Sequence, residues 1–245
     1  MKKFISMVFL FTLTACSPAS TPTVEPAPVA ATIVPPTDAP APSATLTSTP
    51  IPTSSPTVTP IPFVESLKAT VTADLLSCRY GPGPEYLYLF ALKKGANIKL
   101  IGRADGNNWL LVENEPQRCW VHSNFLEISG ERQTLKPMYP DGYKIPVSPY
   151  YSPTTVLNAA RAGDKVTVDW IHVPVSPGDF EDENMFQYII EVWRCENGEI
   201  IFDPLVSNFP FITFIDEAGC SSPSHGRVYV QEKHGYAGPA DIPWP

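Results

Sequence analysis

From residue 63 to the C-terminus, apolar and polar residues alternate in short runs broken by Gly, Pro and Asn. Alternation begins at Ala69-Thr70-Val71-Thr72-Ala73 and continues through residues 75–80. A Gly81-Pro82-Gly83-Pro84 turn follows, then the run Tyr86-Leu87-Tyr88-Leu89-Phe90. Further runs cover 98–103, 109–113, 119–121 and 126–128, with a turn at Asp105-Gly106-Asn107-Asn108. A period of two with such punctuation predicts strands. Five or six short strands within 63–129 predict a small barrel, because an open sheet of that size would expose long unpaired edges.

After a polar stretch at 130–139, read as an interdomain linker, a second set of strand signals occupies 140–245. Strands are predicted at 165–170, 186–195, 199–202, 211–215 and 227–232, with turns at Glu196-Asn197-Gly198 and around 221–226. An apolar Trp170 on an early strand, followed by a long Tyr/Ile/Val strand, predicts a β-sandwich of Greek-key type. The fold class expected is therefore all-β, a small barrel followed by a sandwich.

The first 62 residues lack this pattern. Met1-Lys2-Lys3 and the apolar run 4–13 have the charged start and short core of an export signal, too short to span a bilayer as a mature helix. Its end, Leu13-Thr14-Ala15-Cys16, resembles the lipobox of bacterial lipoproteins. That resemblance implies cleavage after residue 15 and a diacylglycerol on the Cys16 thiol, so that the chain is held on the extracytoplasmic face of a cell membrane. Between residues 17 and 62, 36 of 46 residues are Pro, Thr, Ser or Ala and none is aromatic, so too little apolar surface exists to offset ordering entropy. A disordered linker is expected there, reaching at most about 140 Å at the polyproline rise of about 3.1 Å per residue.

Five cysteines leave an odd one in an exported protein, and lipidation of Cys16 would consume it. The other four allow three pairings. With two in each half, Cys78 with Cys119 and Cys195 with Cys220 is the economical choice, each bridge contributing about 3 to 4 kcal/mol in the chain-entropy model. No C-x-x-C pair or histidine at ligand spacing supports a metal site, and no cofactor is expected.

Charge narrows the partners. Residues 63–129 carry seven basic and seven acidic groups, and 130–245 carry eight and sixteen. The second half thus holds the whole net charge of -8, and neither half offers the Lys/Arg cluster that nucleic acid or anionic headgroups require.

The first half resembles the bacterial SH3-like (SH3b) domain. The segments that carry the likeness are Leu76-Ser77-Cys78-Arg79-Tyr80-Gly81-Pro82, Tyr86, Leu92-Lys93-Lys94-Gly95, Asn107-Asn108-Trp109-Leu110-Leu111-Val112 and Cys119-Trp120-Val121, in order and at suitable spacing. Ser77 stands for the family's Asn, Cys78 for a core Val and Cys119 for a Gly. The paired cysteine replacements are what a bridge between the early and late strands would need. The resemblance implies a targeting module for cell-wall peptidoglycan or a peptide ligand, with an aromatic groove drawn from Tyr80, Tyr86, Tyr88, Trp109 and Trp120. Of these Trp109, alternating with Leu111, is assigned to packing. Arg79, Tyr80, Tyr86 and Trp120 are the ligand candidates, Arg79 as a partner for a carboxylate. The second half loosely resembles a fibronectin type III or immunoglobulin-like domain, with Trp170 as the early-strand tryptophan and Val228-Tyr229-Val230 on a late strand.

No enzyme is expected. The chain carries no G-x-S-x-G elbow, H-E-x-x-H, P-loop or G-x-G-x-x-G, and His122, His172, His225 and His234 are scattered. The acidic run 179–184 lacks the D-x-D-x-D-G spacing of a calcium loop and reads as solvated. The function expected is a lipid-anchored binding module at the cell surface. The alternative is an assembly lipoprotein whose sandwich docks a protein partner while the barrel is a spacer.

Overall fold

A computed structural model describes residues 62–114, 117–140 and 145–245. The expected export signal, Cys16 and all of the expected linker but Pro62 lie outside the described residues. Among those described, the chain is all-β and organised in antiparallel sheets.

Strands β1 (Leu67–Val71), β2 (Leu75–Arg79), β3 (Tyr88–Lys93), β4 (Asn97–Arg103), β5 (Trp109–Asn114), β6 (Gln117–His122) and β7 (Leu126–Ser129) form one sheet. Its order is β3-β2-β6-β5-β4-β1-β7. Alternation sends Ala69, Val71, Leu76, Leu100, Leu110, Val112 and Val121 into a common core, and Leu89, Phe90, Leu126 and Ile128 from the edge strands pack against it. One cluster draws on all seven strands, so the sheet curls around it. β2 meets β6 through a single registered pair, Arg79 with Trp120, and the Cys78–Cys119 disulfide links the same two strands beside it.

The rest of the chain supplies β8 (Val156–Ala162), β9 (Lys165–Trp170), β10 (Tyr188–Glu196), β11 (Glu199–Ser207), β12 (Phe211–Ile215), β13 (His225–Glu232) and β14 (Gly235–Asp241). They pair as β12-β9-β8 and β11-β10-β13-β14. Val166, Val168, Trp170 and Phe214 from the first of these sheets meet Tyr188, Ile190, Val192, Val228 and Val230 from the second, which makes a sandwich. Asn197 and Gly198, both at positive φ, make the tight turn between β10 and β11. A second disulfide, Cys195–Cys220, ties the loop before β13 to β10.

β10 is buried along nearly its whole length, which one sandwich core cannot explain. Its alternate residues Ile189 and Trp193 point the other way, where the first half covers them. Tyr86 and Leu87 pack with Ile189, Tyr229 and Tyr236, while Trp109, Leu111 and Trp120 pack with Trp193 and Phe202. At about 1.5 to 3 kcal/mol for each large side chain removed from water, this seam is a third core. The backbone joins in: Phe202 N donates to Asp105 O at 3.0 Å, and a Cβ on Gly106 would sit 2.4 Å from Ile201. Both halves lie in one compact unit, Thr57–Pro245. Residues 130–139, expected as a spacer, pack down as well. Leu135 is buried, Arg103 N donates to Lys136 O and Met138 N to Arg103 O, and the Tyr139 and Trp193 ring centroids lie 5.4 Å apart.

Two strands were not expected, and β11 runs on to Ser207, past its predicted end at 202. β8, with Asn158 and three alanines, and β14, with two glycines and Pro239, have little strand propensity and pair on one side only, at sheet edges where proline is tolerated. β3 also begins at Tyr88 rather than Tyr86, because Tyr86 leaves the sheet to reach the other half.

Candidate functional site

The loop from Arg79 to Leu87 organises the surface. Gly81 lets it fold tightly, since a Cβ there would meet the Tyr86 ring at 2.3 Å. Asn107 Nδ2 donates to Pro82 O at 3.2 Å and its Oδ1 accepts from Trp109 N at 3.0 Å, which fixes the loop against the β4–β5 turn. Two concave regions flank this loop and share Arg79 and Pro84.

The first is an apolar groove of about 470 Å³ lined by Leu75, Leu76, Ser77, Arg79, Pro84, Trp109, His122 and Phe125. Three rings stand in series there. Trp109 meets His122 edge-on at 5.6 Å, and His122 lies 5.8 Å from Phe125. Leu75 and Phe125 are 67% and 47% exposed, so the groove has apolar rims open to solvent. The second is a cleft of about 250 Å³ between the halves, lined by Arg79, Pro84, Glu85 and Tyr86 and by Glu181, Asp182, Asn184, Met185 and Phe186. Burial raises the Glu85 carboxyl above its ordinary range, against the pull of a backbone hydrogen bond and of Arg79. Burial raises the Tyr80 hydroxyl too, and the nearby Glu181 carboxylate adds to the effect.

Of the four residues expected at a ligand groove, Arg79 lines both regions, half-buried, with Nη1 donating to Tyr86 O. Tyr86 is 1% exposed, and its hydroxyl donates to Glu191 Oε1 at 2.7 Å. Arg227 Nε donates to Glu191 Oε2 at 2.6 Å, so a buried carboxylate is paired within the seam. Burial drives Glu191 upward, and the Tyr86 and Arg227 donors favour its anion. Trp120 is also 1% exposed, packed on Trp193 and Phe202, and lines neither region. Tyr80 packs against the Tyr86, Ile189 and Tyr236 cluster. The exposed groove therefore rests on other residues: Leu75, His122 and Phe125, with the edge of Trp109, which the sequence assigns to packing. A signal for one of them was present. Adjacent Leu75 and Leu76 on a strand must face opposite sides, so one of them points outward.

Other polar side chains of the sandwich half make contacts within the fold. Ser224 Oγ donates to Asp216 Oδ1 at 2.6 Å and His225 stacks on Trp193 at 4.7 Å. In the acidic run, Asp179 Oδ2 accepts from Tyr151 at 2.6 Å and Asp182 Oδ1 accepts from Asn184 N at 2.7 Å. Among the described residues no group of three or more His, Cys, Asp or Glu side chains is placed to hold a metal ion, and no helix is long and apolar enough to cross a membrane. The two disulfides indicate an oxidising, extracytoplasmic environment.

In comparisons with known proteins, no protein-family model matches the chain and no curated protein sequence matches it.

Proposed function

We propose that the chain is a binding module held outside the cytoplasm by a lipid on Cys16, with its ligand site on an SH3b-like barrel. A fibronectin type III or immunoglobulin-like sandwich buttresses that barrel. The ligand is cell-wall peptidoglycan or a peptide, and the module acts by binding, without a cofactor. The observation that carries this reading is the groove beside Arg79, where Trp109, His122 and Phe125 stand in series between solvent-facing apolar rims. Flat rings in a concave surface give contact area at low entropy cost and suit sugars and extended peptides.

Retention of the full-length protein on isolated wall material tests it. Phe125→Ala removes a half-exposed ring, so folding is kept while retention falls about fivefold or more, the scale of an interface anchor. Unchanged retention contradicts the reading.

One observation favours the assembly alternative. Phe209 and Phe211 are 65% and 54% exposed, with ring centroids 6.0 Å apart, at the start of edge strand β12. Under that alternative Phe211→Ala, and not Phe125→Ala, releases the protein from its surface complex.

A further inference from the structure

Arg79 is the one residue besides Pro84 that belongs to both concave regions, and their lining differs sharply. We propose that Arg79 is the carboxylate anchor of a composite site built by both halves, which takes a short cell-wall peptide carrying one free carboxylate between an amine and an apolar side chain. This rests on the binding reading above and adds the charge pattern of its ligand.

The guanidinium has five N–H donors in a planar fork. One nitrogen, Nη1, serves Tyr86 O, and although the Glu85 carboxyl feels the Arg79 charge, no ion pair joins Arg79 to a carboxylate among the described residues. Arg103, Arg118, Arg161, Arg194 and Arg227 each hold an Asp or Glu, whereas Arg79 is half-buried at a concave surface with donors to spare. A carboxylate bound there is gripped by charge-assisted hydrogen bonds in partial shelter from water.

The flanks set what accompanies that carboxylate. Towards Trp109 and Phe125 the surface is apolar and aromatic, so the neighbouring group is an apolar side chain. On the other side stand Glu85 from the barrel loop and Glu181 and Asp182 from the sandwich half. Three carboxylates repel a second anion and favour an amine. Size argues for a short peptide over a folded protein surface. Concave regions of about 470 and 250 Å³ are the size of clefts that take a small ligand or a few residues.

The test is an NMR titration of the full-length protein, following the Arg79 Nε–H and Trp109 indole signals. The probes are the end-blocked tripeptides Lys-Glu-Phe and Phe-Glu-Lys, their Gln-for-Glu versions, and versions with norleucine for Lys. At least one Glu probe binds about tenfold more tightly than its Gln version, the scale of one charged hydrogen-bonded contact. Replacing Lys weakens binding about threefold, the Arg79→Gln variant removes the Glu preference, and soluble wall fragments compete. Because the probe comparison uses the unaltered protein, it decides the matter even if Arg79→Gln folds poorly. Glu and Gln probes that bind within twofold of one another, with Trp109 still shifting, overturn the anchor and leave the groove intact. Failure of wall fragments to compete overturns the wall source. If neither probes nor wall fragments shift Trp109, the inference and the binding reading fall together.

Discussion

Asp216 shows how much one buried side chain can organise. It is 1% exposed and accepts from Cys195 N at 2.7 Å, Ser224 Oγ at 2.6 Å and Trp244 Nε1 at 3.2 Å, with Arg161 completing its shell. Burial alone pushes this carboxyl up, but the Ser224, Cys195, Arg161 and Trp244 donors outweigh it and hold the group below its ordinary value. The anion is therefore favoured by folding. Its contribution is present above the ordinary aspartate range and is lost as pH falls through the lowered value. Asp216→Asn should cost about 2 to 4 kcal/mol at neutral pH, with a gap from the parent protein that narrows below about pH 4. Melting temperatures measured across pH check this, and a gap of the same size in acid and at neutrality contradicts it. Nothing in the residue order points to Asp216 as a hub, because its partners come from positions 161, 195, 224 and 244.

Among elements, those with strong alternation were legible. β4, β5, β9, β12 and β13 fall within a residue or two of their predicted runs; in β4, β9 and β12 one buried face enforces a period of two, and β5 and β13, buried on both faces, are bounded by turn residues instead. β8 and β14 were not, since edge strands survive with alanine, glycine and proline once a neighbour holds one side. The two disulfides join the pairs that the cysteine arithmetic favours. The first matters most where pairing is thinnest. With only Arg79 and Trp120 in register between β2 and β6, Cys78–Cys119 supplies much of that closure. Replacing both cysteines by alanine should lower stability by about 2 to 4 kcal/mol and speed amide exchange first in β2 and β3. Exchange that rises uniformly over all strands, or an unchanged melting temperature, argues against that role.

The seam between the halves was the least legible feature of the whole molecule. Tyr86 and Trp120 look like groove aromatics in one dimension, since a ring buried against another part of the chain and a ring facing a ligand share the same side chain. Burial of the expected aromatics moves the open site to the neighbouring face, where Leu75, His122 and Phe125 meet Arg79, and lets the sandwich half contribute acidic groups to the cleft beside it. The two halves thus build one surface, and the most direct test reads that surface whole. In amide hydrogen exchange of the full-length protein with and without soluble peptidoglycan fragments, the account predicts protection confined to residues 75–86, 109, 122–125 and 181–186, with β12 unchanged. Protection on β12, or none anywhere, would contradict it.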